Sequence, residues 1–180
     1  MVDDNILNKL NKIKVELTES EVLDKLLDRM RWPKNYISGQ PSVEAIIENG
    51  EKHQDFFDED GYINSAKVIS CYEDGYSLIL SNIGGLNRST FLIQEVLNDH
   101  FQKRINCNFY FGNGLKSTSF KKHKHDYPVI VKNVYGTSKW VIDEKEVILS
   151  EQDVIWFDKN TDHEVIEISS AKLSITCNIE

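Results

Sequence analysis

The spacing of apolar positions changes character along the chain. In the first third it is helical. Thr18-Glu19-Ser20-Glu21 has the form of a capping box, with Glu21 placed to reach back to the N-cap amide. Val22, Leu23, Leu26, Leu27 and Met30 follow at helical spacing, and Trp32-Pro33 stops the run. A second, short helix is expected after Pro41, with Val43, Ile46 and Ile47 on one face and Gly50 as its C-cap. The acidic, weakly patterned residues 51–61 read as a surface loop.

Further on, residues 76–81 suit a strand, Asn82-Ile83-Gly84-Gly85 a turn, and residues 87–103 a helix. The apolar stripe of that helix is Phe91, Ile93, Val96, Leu97 and Phe101. From Ile105 the period falls to two. Strands are expected over 106–111, 129–135, 139–143, 146–149, 154–157, 164–168 and 172–177, separated by Gly112-Asn113-Gly114, Gly136-Thr137, Asp143-Glu144-Lys145 and Lys159-Asn160. Short strands with tight turns after a helical start predict a mainly β protein, an antiparallel jelly-roll barrel with helices packed outside. A helical portion, residues 1–74, would pack on a barrel formed by residues 75–180 in one compact domain.

Composition narrows the classes. The chain has 180 residues, enough for one domain. Asp and Glu outnumber Lys and Arg 29 to 21, and the formal charge of -8 argues against nucleic-acid binding, which draws its affinity from a basic face. No apolar run approaches the roughly 20 residues that span a bilayer. The acidic start Met1-Val2-Asp3-Asp4 lacks the layout of a signal peptide. Cys71, Cys107 and Cys177 form no CxxC pair, which suits reduced thiols and a cytoplasmic location.

Three of the five histidines stand where a barrel metal site would need them. His123 and His125 are two residues apart, and in a strand both would face the same way. His163 follows 40 residues later, between two expected strands. Together they make a facial set of three with coordination positions left open. The competing reading is a solvated charge cluster, since Lys121-Lys122-His123-Lys124-His125-Asp126 is very polar for a barrel strand. Asn106, Asn108 and Tyr110 share one face of their strand, opposite Ile105, Cys107, Phe109 and Phe111, so the polar set should look into the barrel. Asn133 is placed to join them as a pocket residue, whereas Trp140 and Trp156 read as core. Lys121, Lys122 and Lys124 would either steer an anionic substrate or form a solvated stretch.

The segments Asn108-Phe109-Tyr110, Ser119-Phe120 ahead of His123, Gly136 thirteen residues after that histidine, and Trp140 behind it resemble the JmjC-type cupin oxygenases. The branch is that of the compact ribosomal-oxygenase and asparaginyl-hydroxylase-like proteins. Val154-Ile155-Trp156-Phe157-Asp158 before His163, and Gly75 to Leu80 upstream, extend the likeness from about Gly75 to Ile168. The resemblance implies a double-stranded β-helix that holds Fe(II), with 2-oxoglutarate as cosubstrate for hydroxylating an unactivated C–H bond. His123 would match the first ligand and His163 the last. The family's acidic middle ligand falls at His125. Asp126 comes one residue later and would serve only through a bulge. The family's lysine for the distal carboxylate of 2-oxoglutarate stands two residues after the glycine, where this chain has Ser138; Lys139 is one later.

The expected function is therefore a metal-dependent cupin oxygenase with a three-histidine site, Fe(II) or another divalent metal, and 2-oxoglutarate. Lys139, Asn108, Tyr110 and Asn133 are the candidate cosubstrate contacts. The alternatives are a three-histidine dioxygenase or lyase that dispenses with 2-oxoglutarate, and a non-catalytic binding module. The expected partner is a small molecule or peptide at the barrel mouth, with the N-terminal helices covering the barrel or forming a homodimer contact. With the chain ending at Glu180 after the last strand, recognition would fall to the barrel mouth almost alone.

Overall fold

The computed structural model describes residues 2–36, 39–116, 118–168 and 171–180. The fold has three layers. Helices lie on one face of a seven-stranded antiparallel sheet, and a three-stranded antiparallel sheet covers part of the other face. The helices are α1 (Asp4–Lys12), α2 (Glu19–Leu26), α3 (Ser65–Glu73) and α4 (Arg88–Phe101). The large sheet is built from β1 (Val43–Ile46), β2 (Lys52–His53), β3 (Ser77–Leu80), β4 (Asn106–Gly112), β5 (Val129–Tyr135), β8 (Val154–Phe157) and β10 (Lys172–Asn178), in the order β2-β1-β3-β4-β10-β5-β8. The small sheet, β7-β6-β9, consists of β6 (Ser138–Ile142), β7 (Lys145–Leu149) and β9 (His163–Ile168).

Local chemistry accounts for the elements. The capping box forms as its sequence requires: the Thr18 hydroxyl accepts from the Glu21 amide at 3.2 Å, and the Thr18 amide donates to the Glu21 carboxylate at 2.7 Å. Residues 28–32 do not continue α2. They tighten into a 3-10 turn, leaving Leu27 and Met30 exposed. Asn87 caps α4 through the Thr90 amide. Alternation sorts the strands as expected. On β4 and β10, Cys107, Phe109, Phe111, Leu173, Ile175 and Cys177 are buried against the helices, with Ile6, Leu10, Ile93 and Leu97 among their neighbours in that core. The opposite faces look into the interior between the sheets. There Val129, Val131, Trp140, Leu149 and Phe157 form a second, smaller apolar cluster.

Two expectations are corrected. The residues after Pro41 are strand, not helix: β1 pairs antiparallel with β3, from Val43 opposite Leu80 to Ile46 opposite Ser77, and all four of its residues are buried. Residues 1–74 are thus not purely helical, because β1 and β2 extend the large sheet. His123 and His125 do not lie in a regular strand either. His123 forms an isolated antiparallel bridge with His163, the first residue of β9. No helix among the described residues is long and apolar enough to cross a membrane.

Candidate metal centre

The bridge decides the site. His123 donates its amide to the His163 carbonyl at 3.1 Å, and the His163 amide donates to the His123 carbonyl at 2.9 Å. Two residues on, the Asn160 amide donates to the His125 carbonyl at 2.6 Å, and Ser119 Oγ donates to the Val165 carbonyl at 2.7 Å. Residues 119–125 are therefore stitched to β9 and the turn before it. One ligating nitrogen from each of His123, His125 and His163 lies within 4.8 Å of the other two. The ring centroids are 4.3 Å apart for His123 and His163, 5.1 Å for His125 and His163, and 4.9 Å for His123 and His125.

The surroundings orient the rings. His123 Nδ1 lies 2.7 Å from the Lys121 carbonyl and His163 Nδ1 lies 3.0 Å from the Thr161 carbonyl. A carbonyl can only accept, so both Nδ1 atoms carry the proton and both Nε2 atoms keep a free lone pair. Tyr127 stacks on His125 with ring planes 6° apart, and Phe157 packs on His163 at 4.2 Å. Burial pushes the pKa of His163 down to about 4, reinforced by His123 and His125. His125 is lowered in the same direction, again first by burial. Neutral imidazole is the form that ligates. Three imidazole nitrogen donors on one side of an ion would suit a divalent transition metal and leave positions for further ligands. Asp126 is exposed and stands outside the cluster, of which His125 is a member.

The imidazoles border a cavity of about 530 Å³ between the sheets. Asn108 and Tyr110 line it from β4, Val129 and Val131 from β5, Trp140 from β6, and Lys172, Ser174, Thr176 and Asn178 from β10. Asn108 also accepts the Asn82 amide at 3.1 Å. Burial raises the pKa of Tyr110, with the Glu44 carboxylate adding to it, so the phenol stays protonated. Trp140, expected as core, is both buried and part of the wall.

Two of the expected cosubstrate contacts lie elsewhere. Lys139 sits on the outer face of β6, between the inward Ser138 and Trp140, and pairs with Glu146 at 2.8 Å. At Gly136-Thr137 the chain passes from the large sheet to the small one, and with Ser138 and Trp140 buried on the inner face of β6, strand parity turns Lys139 away. Asn133 is fully buried but donates to the Gly136 and Ser150 carbonyls at 2.6 and 3.1 Å, tying together the two connections that cross between the sheets, β5 to β6 and β7 to β8.

Two cavity residues escaped the sequence reading. Glu44 on β1 is buried and held by Lys52 at 3.0 Å and Gln54 at 2.5 Å. It was hidden because its segment read as helix. Lys172 opens β10, and the alternation of Lys172, Ser174, Thr176 and Asn178 with Leu173, Ile175 and Cys177 was the available clue.

No protein-family model matches the chain, and no curated protein matches it by sequence. Solved structures do. The ribosomal oxygenase YcfD from Escherichia coli, in complex with cobalt and 2-oxoglutarate, matches over 92% of this chain at a TM-score of 0.61 and 13% identity. The match spans 45% of that protein, so the chain corresponds to less than half of its length. The EutQ protein of Clostridium difficile matches 58% of this chain and 68% of its own at 16% identity and a TM-score of 0.39. A cupin superfamily protein from Desulfitobacterium hafniense matches 41% of this chain and 65% of its own at 9% identity and a TM-score of 0.38. The fold of this chain is the cupin jelly roll, with a likeness to a ribosomal oxygenase that runs over nearly its whole length.

Proposed function

We propose that the protein is a metal-dependent cupin oxygenase that uses Fe(II) and 2-oxoglutarate to hydroxylate a small molecule or a peptide side chain at the cavity mouth. The observation that carries this reading is the set of three oriented imidazoles bordering a cavity inside a cupin barrel. His123, His125 and His163 would hold the metal. When bound, the metal and the oxo acid together supply an oxidant made from dioxygen.

The chain's own residues set the conditions for that chemistry. The Lys121 and Thr161 carbonyls keep the Nδ1 protons in place. Val129, Val131, Trp140 and Phe157 give the interior an apolar wall that limits water. Asn108 and the protonated Tyr110 offer hydrogen bonds from β4. Lys52, Lys121 and Lys122 stand around the cavity and would draw in anions.

The test is metal analysis of protein prepared without oxygen, followed by oxygen-uptake measurements with and without 2-oxoglutarate. A transition metal held in about equimolar amount and uptake dependent on the oxo acid are expected. Absence of any retained or acquired transition metal would refute the reading.

One observation favours a second reading. Lys139 faces outward in an ion pair, and the three ligands carry no carboxylate. A three-histidine dioxygenase or lyase that binds its substrate directly at the metal needs neither. Metal-dependent oxygen uptake or substrate turnover without any response to 2-oxoglutarate would establish it.

A further inference from the structure

Two of the three cysteines meet on the face of the large sheet turned away from the cavity. Cys107 on β4 and Cys177 on β10 stand directly opposite each other in the antiparallel ladder, and both are buried in the core beneath the helices. The Cys177 thiol donates to Cys107 Sγ at 2.7 Å. Seventy positions separate the two in sequence, so no spacing motif announces the pair. The third cysteine, Cys71, is half-buried on α3.

Strand pairing supplies the geometry that a disulfide needs. Facing residues of an antiparallel pair hold their Cα atoms about 4.5–5.5 Å apart, within the roughly 4.4–6.8 Å that a disulfide spans. The two side chains leave the sheet on the same side and their sulfurs already touch. Closing the bond takes a side-chain rotation and no displacement of either strand. The neighbours along that face, Phe109, Phe111, Leu173 and Ile175, are apolar. Burial, and then the Cys107 sulfur beside it, raise the Cys177 thiol well above its ordinary pKa, so bulky thiol reagents find little thiolate to attack. A small oxidant reaches the pair more readily. The adjoining rung, Asn106 with Asn178, is the last of the β4–β10 ladder, and opening that one rung uncovers the cysteines.

The rungs on either side belong to the cavity. Asn108 and Thr176 form one of them and both line it, and Asn178 lines it from the other. We propose that Cys107 and Cys177 are a modification site, a dithiol that hydrogen peroxide converts to a cross-strand disulfide fastening β4 to β10 beside the cavity. One thiolate attacks a peroxide oxygen and the O–O bond breaks. The sulfur keeps one oxygen as a sulfenic acid, and the other leaves as water with that thiol's proton. The second thiol then attacks the oxidised sulfur, the S–S bond forms, and the hydroxyl departs with the second proton as water. Two electrons pass from the thiols to the peroxide, and two waters result. The site is independent of any metal at the imidazoles and of the oxygenase reading, although the loop it closes contains His123, His125 and His163.

The test is exposure of the full native chain to hydrogen peroxide at about pH 8.5 with a metal chelator present, followed by catalase, digestion without reductant and peptide mass mapping. A linked pair of peptides carrying Cys107 and Cys177 should appear in most of the protein, with two hydrogens lost from the intact mass. Dithiothreitol should reverse both. Cys107→Ala and Cys177→Ala should each lose the linked pair, and the wild-type measurement stands without them if either fails to fold. The oxidised chain should also unfold at a urea midpoint higher by about 1 M or more, because the bond closes a loop of about 70 residues. If the native chain forms no such link, or links Cys71 to either cysteine as readily, the assignment is overturned.

Discussion

Replacing Lys172 by methionine takes a charge out of a wall where no described residue forms an ion pair or hydrogen bond with it, and the size of the effect follows from its ionisation. Burial moves the pKa of this amine from 10.5 to about 8. Each unit corresponds to about 1.36 kcal/mol of difference between the two protonation states, so holding the ammonium inside costs about 3 kcal/mol below pH 8. The direction is fixed by linkage. Between pH 8 and 10.5 the unfolded chain binds more protons at this site than the folded one, so this contribution to stability rises with pH across that window and is constant below it. Methionine keeps the apolar stem and drops the charge. Ligand-free Lys172→Met should therefore be more stable than wild type by up to about 3 kcal/mol at pH 7, with the gap closing as pH approaches 10.5. Urea unfolding followed by circular dichroism at pH 7 and pH 10 measures this. Taking the difference between the two proteins cancels Lys132, which burial shifts in the same sense, and the buried tyrosines that shift upward. A variant less stable than wild type at pH 7, or a gap that does not shrink with pH, would refute the reasoning.

Other perturbations probe other parts of the structure. His163→Ala removes the proposed ligand that the backbone bridge holds in place, so zinc or cobalt should raise the Tm of wild type and leave that of the variant unchanged. At a hundredfold excess over Kd the shift corresponds to about 2.7 kcal/mol, and an equal shift in both proteins would exclude His163 as a ligand. Gly136→Ala combines a φ of +74° with a Cβ only 2.2 Å from the Ala171 carbonyl oxygen, and should lower stability by about 2 kcal/mol or more in chemical denaturation. A neutral result would show that the start of β10 does not approach the connection between β5 and β6 so closely. Thr18→Ala deletes the capping box of α2 and should cost about 1 kcal/mol by the same measurement, with an unchanged urea midpoint counting against the cap.

The barrel was legible because its strands obey a simple rule. From Ile105 onward, alternation and turn residues place β5 and β8 to the residue and the others within one or two. The strand β1 was not legible. Its apolar residues are buried on both faces, so no alternation marks it, and Val43, Ile46 and Ile47 fit a helical spacing as well over so short a run. The three clustered histidines could be picked out as residues, but not as geometry. His123 and His125 are brought inward by a single bridge and a loop, not by a regular strand. Lys139, expected as a cosubstrate contact, instead faces outward and pairs with Glu146, because Ser138 and Trp140 take the inner positions of β6. Lys172 was overlooked because a lysine on the polar face of a strand reads as solvent-facing unless that face is known to close over a cavity.

The paired backbone bonds between His123 and His163 have a consequence for how the proposed centre would meet a metal. The two segments are fastened by main-chain groups, so the spacing of these ligands is set before any ion arrives. The entropy of closing the loop between them is borne by folding, not by coordination. Such a preorganised chelate should take up and release its ion without unfolding, and bind it more tightly than the same three imidazoles on a loose loop. Occupancy would then follow the metal available in the cell and not the history of the chain's folding.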